Sequence, residues 1–334
     1  MRHSVFAALT AILLWAVLAL LVIPADSSAA GAAPPRPTLP IPETAPETGA
    51  AAAPLPQAAF DPEFTLRVQT EDGIQSMDLQ SYLTGVLLAE MPASFDAEAQ
   101  KAQAVACRTY ALSRCQHPRH TGAAVCTDSR CCQSWRNPAK ADADAREKAE
   151  AAVRETDGLV LLYQGKLIDA TFFSCSGGRT EDASAVWGGE LPYLQAVESP
   201  GEESAAHFTD EARIPLAEFR ATLERQNGEV QFSGDPGSWV EAVQYTAGGG
   251  VGQIRLGGRS FRGTELRKAF SLRSTAFDLT LNQAEAIFTT RGNGHRVGMS
   301  QYGAEAMARA GNDFESILKW YYQGVTLIRA DEME

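Results

Sequence analysis

Basic charge is scarce in this chain. Its 334 residues carry 29 Lys and Arg against 41 Asp and Glu, a formal net charge of −12. A nucleic-acid binder normally shows a basic face, so nucleic acid is not an expected partner, although a locally basic groove stays possible. No internal repeat is visible. Strands and helices do not alternate regularly, which argues for an α+β protein rather than a parallel α/β sheet. The spacing of a catalytic zinc helix is missing too, which argues against a zinc peptidase or amidase. No aromatic residue lies between Ala30 and Ala59, and no charge between Val5 and Ile23.

Each of those two gaps has a positive meaning. The apolar run from Val5 to Ile23 follows Arg2 and His3 and is just long enough to span a bilayer. It reads as a single-pass signal anchor with the bulk of the chain outside the cell. The competing reading is a signal peptide cut near Ser28-Ala29-Ala30, giving a secreted protein. Either way the body is exported. Residues 1–29 form the membrane or signal segment, and residues 30–60, rich in Ala and Pro, form a disordered tether.

The chain as a whole has a globular balance of 45% hydrophobic and 21% charged residues, and residues 61–330 form its globular body. Phe64 to Gln69 alternates as a strand, and Asp72-Gly73 marks a hairpin turn. A helix carries Ser81 to Pro92, and a second runs from about Asp96, its candidate cap, to Ser113. A third is expected from about Ala139 to Glu155. Leu159–Tyr163 and Leu167–Ser174 read as a hairpin across Gln164-Gly165-Lys166. Residues 202–238 are charged and weakly periodic, which suggests a helical insertion or a small second lobe. Strands are expected near 240–245, 253–256, 277–281 and 286–289, a short helix near 264–272, and a closing helix ending at Tyr321-Tyr322. The expected architecture is mixed helices and antiparallel strands in two lobes around a groove.

Glu90 stands out within the first helix. Leu79, Leu83, Val86 and Leu87 form an apolar stripe, and helical spacing places Glu90 on it. Burial should raise its pKa. The negative end of the helix dipole acts in the same direction, and Met91-Pro92 stops the helix. A carboxyl protonated near neutrality suits a general acid. The competing reading is an interface carboxylate paired with a basic residue.

Four of six cysteines lie between Cys115 and Cys132, beside His117 and His120. One His and three Cys suffice for a closed, structural zinc site, and His120, Cys126, Cys131 and Cys132 are the candidate ligands. Cys115 or His117 could replace Cys131, because adjacent cysteines seldom share one ion. Disulfides are the alternative for an exported chain. Cys107 falls on an apolar helix face and reads as a core residue.

Several motifs together resemble the stage II sporulation protein D family. They are Tyr82 to Phe95, Glu98 to Ala111, Cys132-Gln133, Ser174-Cys-Ser-Gly-Gly-Arg-Thr180, Leu191-Pro-Tyr-Leu194, Leu272 to Phe277, and Gly294-His295 through Val297 to Ala304. They occur in order over about residues 62–330. The resemblance implies a lytic transglycosylase that cuts peptidoglycan glycan strands during forespore engulfment, beside a cell-wall amidase or endopeptidase and other engulfment proteins. The family's catalytic acid falls on Glu90. Some members hold zinc in this cysteine-rich loop, with a histidine where this chain has Cys131. The alternative is a non-catalytic glycan-binding enhancer of an amidase, since related proteins carry this domain. Two positions depart from the family pattern. Asn293 stands where an aromatic precedes Gly-His, and Arg296 where a Gly follows it, so the groove wall is expected to differ in shape or charge.

Gln133, Tyr193, His295, Ser300 and Gln301 lie in matching motifs and suit contacts to sugar hydroxyls and N-acetyl groups. Loop hydrogen bonding is the competing role for such polar residues. Lys101 and Arg108, seven residues apart, share one helix face. They are candidates to receive muramyl lactate carboxylates or, alternatively, to pair with acidic neighbours. No second carboxylate is evident near Glu90, and ordinary glycosidases use two.

Overall fold

The computed structural model describes residues 59–333, apart from 228 and 229. The expected membrane segment and nearly all of the tether lie outside the described residues. No helix among the described residues is long and apolar enough to cross a membrane.

The first hairpin forms as its sequence predicts. Strands β1 (Thr65–Thr70) and β2 (Gly73–Asp78) pair antiparallel. Their turn places Gly73 at φ +107, where a side chain would be strained. Leu66 and Val68 point into the core. Asp78 ends β2 and caps the next helix, accepting from the Ser81 amide at 2.7 Å. That helix, α1 (Leu79–Glu90), buries Leu79, Tyr82, Leu83, Val86 and Leu87.

Asp96 caps α2 (Ala97–Gln116), accepting from the Glu98 amide at 2.9 Å. This helix is the spine of the molecule, and its alanines let neighbours approach on two sides. Ala99, Ala102, Val105 and Ala106 join a core with Tyr321 and Tyr322. Ala104, Cys107 and Ala111 join another with Tyr82, Leu83 and Val153. Strand β3 (Val125–Cys126) then adds to β1 in parallel.

Helix α3 (Ala143–Glu155) starts four residues later than expected. A separate 3₁₀ turn occupies Pro138–Lys140, and Asp142 caps the true helix through the amides of Asp144 and Ala145. The good helix formers in both pieces hide that break in the sequence.

Strands β4 (Leu159–Tyr163) and β5 (Lys166–Leu167) form the expected hairpin, but β5 stops at Leu167. Asp169 leaves the strand to pair with Arg114, and its amide donates to the Tyr193 hydroxyl. Strand β6 (Phe172–Phe173) then pairs in parallel with a strand at Met299–Ser300. Helix α4 (Ala183–Trp187) follows and ends at Gly188.

Residues 202–238 depart from the helical expectation. Strand β7 (Thr209–Pro215) occupies part of the stretch, followed by helix α5 (Leu216–Asn227). In this strand Ala212 and Ile214 pack on a core while Thr209, Glu211 and Arg213 are exposed, and the charged Asp210, on the same side as Ala212, interrupts the apolar alternation in the sequence. The strand pairs with an edge-to-centre partner at Glu285–Arg291, in register Arg213↔Ile287.

Strands β8 (Val240–Tyr245), β9 (Val251–Leu256) and β10 (Arg259–Arg262) make one antiparallel sheet. Helix α6 (Gly263–Ala269) leads to β11 (Phe277–Leu281) and β12 (Glu285–Arg291). A third core of Phe219, Trp239, Phe270, Phe277 and Phe288 fills the space among them. The chain returns through β13 (Met299–Ser300), α7 (Gln301–Arg309), α8 (Phe314–Tyr321) and β14 (Thr326–Arg329), the last pairing with β4. The result is the α+β class expected, with helices and mainly antiparallel strands.

Candidate active site

Glu90 is the last residue of α1, and no basic residue lies in that last turn to neutralise it. One carboxylate oxygen accepts the Ser134 amide at 2.7 Å. Burial raises its pKa, and the hydrogen bonds from Ser134 oppose that rise without cancelling it. This is the direction and the leading cause expected from the apolar stripe.

Ser134 reaches Glu90 because the loop beyond the cysteines is fastened to α1. The Arg136 amide donates to the Gly85 carbonyl at 3.0 Å. The Trp135 indole lies over Gly85, where an added Cβ would sit 2.0 Å from the indole nitrogen. Gly85 therefore costs some helix propensity but admits the side chain that sets the loop.

The same loop gathers the metal-ligand candidates. Ligand atoms of His120, Cys126, Cys131 and Cys132 all lie within 4.8 Å of one another. The His120 Nε2 atom is 3.3 Å from the Cys132 sulfur and 3.6 Å from the Cys131 sulfur. Adjacent cysteines can both face one point because the amides of Cys131 and Cys132 both turn onto the Asp128 carbonyl, at 3.0 and 2.9 Å. Tetrahedral zinc bonds of about 2.0–2.3 Å place donors roughly 3.5 Å apart, so the four groups fit such an ion with small adjustments. Cys115 and His117 are not in this group. All six cysteines are free thiols, so no disulfide forms among the described residues. Cys107 is buried in the core, as expected.

Glu90 opens on a cavity of about 760 Å³, a size suited to a small ligand or sugar units. Gln133, His295, Cys131 and Cys132 also line it. Gln133 is 1% exposed and accepts from the Tyr82 hydroxyl at 3.0 Å. Its amide nitrogen has no partner, an arrangement rare for a buried donor.

The structure does not bring the other candidates to the cavity wall. Lys101 pairs with Glu98 and Glu155, each at 2.8 Å. Arg108 is fully buried. Its guanidinium holds Asp61, with Nε–Oδ1 at 2.8 Å, and donates to the Val153 and Leu159 carbonyls. The two do lie on one face, but that face is turned toward acidic neighbours. Tyr193 is buried behind the wall, where its hydroxyl accepts the Asp169 amide at 3.2 Å. Ser300 caps α7 through the Gly303 amide, and its hydroxyl also donates to the Ser174 carbonyl. Gln301 is buried with its side-chain nitrogen unpartnered.

The unusual positions near His295 resolve differently from each other. Arg296 adopts a left-handed backbone, φ +67. Its buried guanidinium donates to the carbonyls of Ser176, Arg179 and Gly248 and faces Glu181 at 3.6 Å. It ties loops together and adds no charge to the cavity wall. Asn293 does line the cavity. His295 is held neutral, its pKa pushed down to about 4 by burial and then by Arg267. Its Nδ1 accepts the Val297 amide.

Three cavity residues were invisible in the sequence. Asp169 supplies a second carboxylate, correcting the expectation of none, and it is engaged by Arg114. Arg114 in turn lies over the Tyr110 ring, 4.9 Å from its centroid. Trp187 is the third, and the Gly188-Gly189 pair that stops its helix was the signal available for it.

Known proteins give this geometry a context. A family model described as Stage II sporulation protein matches residues 68–163, a span that holds both Glu90 and the four metal-ligand candidates. Stage II sporulation protein D of Bacillus amyloliquefaciens is 33% identical over 270 residues, covering 77% of this chain and 76% of that protein. Its counterpart in Bacillus subtilis (strain 168) is 33% identical over 271 residues, with the same coverage. The amidase enhancer of Bacillus subtilis (strain 168) is 30% identical over 298 residues, covering 73% of this chain and 40% of that longer protein. With a third of its residues shared along three quarters of both lengths, the chain belongs to the stage II sporulation protein D family.

Proposed function

We propose that this protein is a lytic transglycosylase of peptidoglycan glycan strands, with Glu90 as its acid and base. The supporting observation is a half-buried carboxyl with a raised pKa, hydrogen-bonded by Ser134 and set at a cavity of sugar dimensions. Protonated Glu90 donates to the glycosidic oxygen as the bond breaks. The carboxylate left behind accepts the proton of the muramic acid 6-hydroxyl as that oxygen attacks the anomeric carbon. The glycan is thereby cleaved to a 1,6-anhydro end and Glu90 is again protonated, so no water is consumed. General acid–base help of this kind contributes about 10²–10⁴ in rate.

Asp169 does not act as a second catalytic carboxylate in this reading, because Arg114 holds it as a paired anion. Intramolecular attack needs only one. His120, Cys126, Cys131 and Cys132 would hold zinc as a closed set with no open position, so its contribution is structural. That set fixes the Cys132-Gln133-Ser134 backbone, which places a hydrogen bond on Glu90 and an amide in the cavity.

In the cell, the Val5–Ile23 run would anchor the protein in a membrane, and the Ala/Pro-rich tether would let the domain reach the wall during forespore engulfment. A cell-wall amidase is the partner suggested by the relative named amidase enhancer. That relative also favours a second reading, in which the domain binds glycan and enhances an amidase without cutting. Mass spectrometry of sacculi digested by the protein separates the two. Anhydro-muramyl ends released by the wild type and not by Glu90→Gln are expected. Intact strands would mean a binder, and freed stem peptides an amidase.

A further inference from the structure

Among the described residues, three large hydrophobic side chains are notably exposed: Ile74, Trp187 and Tyr245. Of these, Trp187 alone lines the cavity that holds Glu90. Leaving nearly half of a tryptophan, 48%, open to water forgoes a large burial gain. The position is also built rather than accidental. Gly188 takes a left-handed conformation, φ +80, and stops the helix directly behind the indole. The helix itself is fastened at its start by the Ala183 amide on the Leu194 carbonyl, 3.1 Å, and by the Ala196 amide on the Asp182 carboxylate, 2.8 Å.

The indole rests on His295, ring centroids 5.3 Å apart, and His295 meets Phe173 edge-on at 5.6 Å. Since His295 is uncharged near neutrality, this side of the cavity is a continuous neutral aromatic surface. Asn293 stands beside it. Both of its backbone polar groups are bonded to Cys175, at 2.7 and 3.1 Å. Asn293 lines the cavity, and its side-chain amide has no hydrogen-bond partner among the described residues.

We propose that Trp187 and Asn293 form a pyranose subsite of this cavity. The indole takes the C–H face of an N-acetylhexosamine ring, and the Asn293 amide takes a hydroxyl or N-acetyl group on its edge. A pyranose has both an apolar face and a polar rim, and few other ligands need an exposed ring and a free amide together. The tilted Trp187–His295 pair supplies an aromatic surface to this wall. The inference rests on the glycan reading of the Glu90 cavity and names a contact within it.

Calorimetric titration of chitotetraose into the full-length chain carrying Glu90→Gln tests the subsite without turnover. Adding Trp187→Met, which keeps bulk and apolarity but removes the ring, should weaken binding at least about tenfold. Trp187→Tyr should stay within about threefold of the parent, and Asn293→Ala should lose roughly fivefold. With Glu90 restored, Trp187→Met should raise KM on denuded strands and change kcat less than about twofold. Thermal melts confirm that the variants are folded. Unchanged chitotetraose affinity in Trp187→Met, the result expected if Trp187 instead docks a protein partner, overturns the subsite. Equal losses in the Met and Tyr variants overturn it as well. If the Glu90→Gln chain with Trp187 intact binds neither chitotetraose nor denuded strands, the glycan reading itself fails and the subsite falls with it.

Discussion

Two buried or half-buried glutamates, Glu90 at the end of α1 and Glu202 in a loop, are treated in opposite ways. Glu202 is fully buried and saturated. It accepts from the amides of Ser176 and Gly177, the hydroxyls of Ser176 and Ser199, and the thiol of Cys175. Gly303 is required beside it, since an added Cβ would lie 2.0 Å from the Tyr321 hydroxyl and 2.2 Å from that of Ser199. Glu90 is less buried, yet its hydrogen bonds come from one residue, Ser134, and it opens on a cavity. A carboxylate that holds loops together is given every donor it can use. In its proposed role Glu90 gains and loses a proton, and it is left short of donors so that its neutral form is accessible.

The sharpest way to test the contrast is to remove the charge at each site. Glu90→Gln should reduce release of anhydro-muropeptides by about 10²–10⁴ and leave the fold intact, as measured by product mass spectrometry alongside thermal melts. Glu202→Gln should do the reverse. Its new amide nitrogen would face donors, and the lost charge-assisted bonds cost on the order of 3 kcal/mol. The unfolding free energy in denaturant should drop accordingly. Activity should follow only as far as the folded fraction does, because Glu202 touches no cavity atom. If Glu202→Gln proved fully stable and specifically inactive, the distinction between the two glutamates would collapse.

A smaller effect should come from the loop that supplies Glu90 with its Ser134 hydrogen bonds. Cys126→Ser, or chelation of the wild type, removes a ligand or the ion from the His120, Cys126, Cys131 and Cys132 set. Because Ser134 follows that set by two residues, its amide should become less well held against Glu90. We expect bound zinc to fall from about one per chain, and activity to fall roughly tenfold, as when supporting groups of a metal site are lost. Elemental analysis and turnover on denuded strands provide the two readings. Full activity with no metal bound would detach the loop from the acid.

Glu90 and its loop were legible in the sequence for a physical reason. A carboxylate on an apolar stripe violates the helix pattern, and the cysteine spacing constrains which side chains can meet. The hairpin at Asp72-Gly73 and the cap Asp96 depend on local chemistry, which a sequence carries openly. What remained hidden depends on distant partners. Asp169 lies in a run that reads as a strand, and only Arg114, 55 residues away, pulls it out into the cavity. Lys101 and Arg108 share a helix face as their spacing requires, but periodicity gives a face without saying what it meets. Here it meets Glu155 and Asp61. Trp187 was hidden because exposure on a cavity wall is a property of the whole fold.

The finest test of the comparison is a pH dependence, and its sign follows from the burial of Glu90. The pKa of Glu90 is raised in the folded protein, so the folded state binds a proton more tightly than the unfolded chain does. The resulting stabilisation is fully present below the unfolded value of 4.5 and is lost as pH rises through the folded value. Glutamine at 90 does not titrate and keeps an oxygen for the Ser134 amide. Relative to the wild type, Glu90→Gln should therefore gain stability as pH rises from 4 toward neutrality, and the gain should level off once Glu90 is ionised in the folded state. Paired melts across that range would show it. The catalytic rate should decline over the same titration, because the first step needs the protonated acid. A stability difference that narrowed as pH rose would place Glu90 with Glu202 among carboxylates that hold loops together.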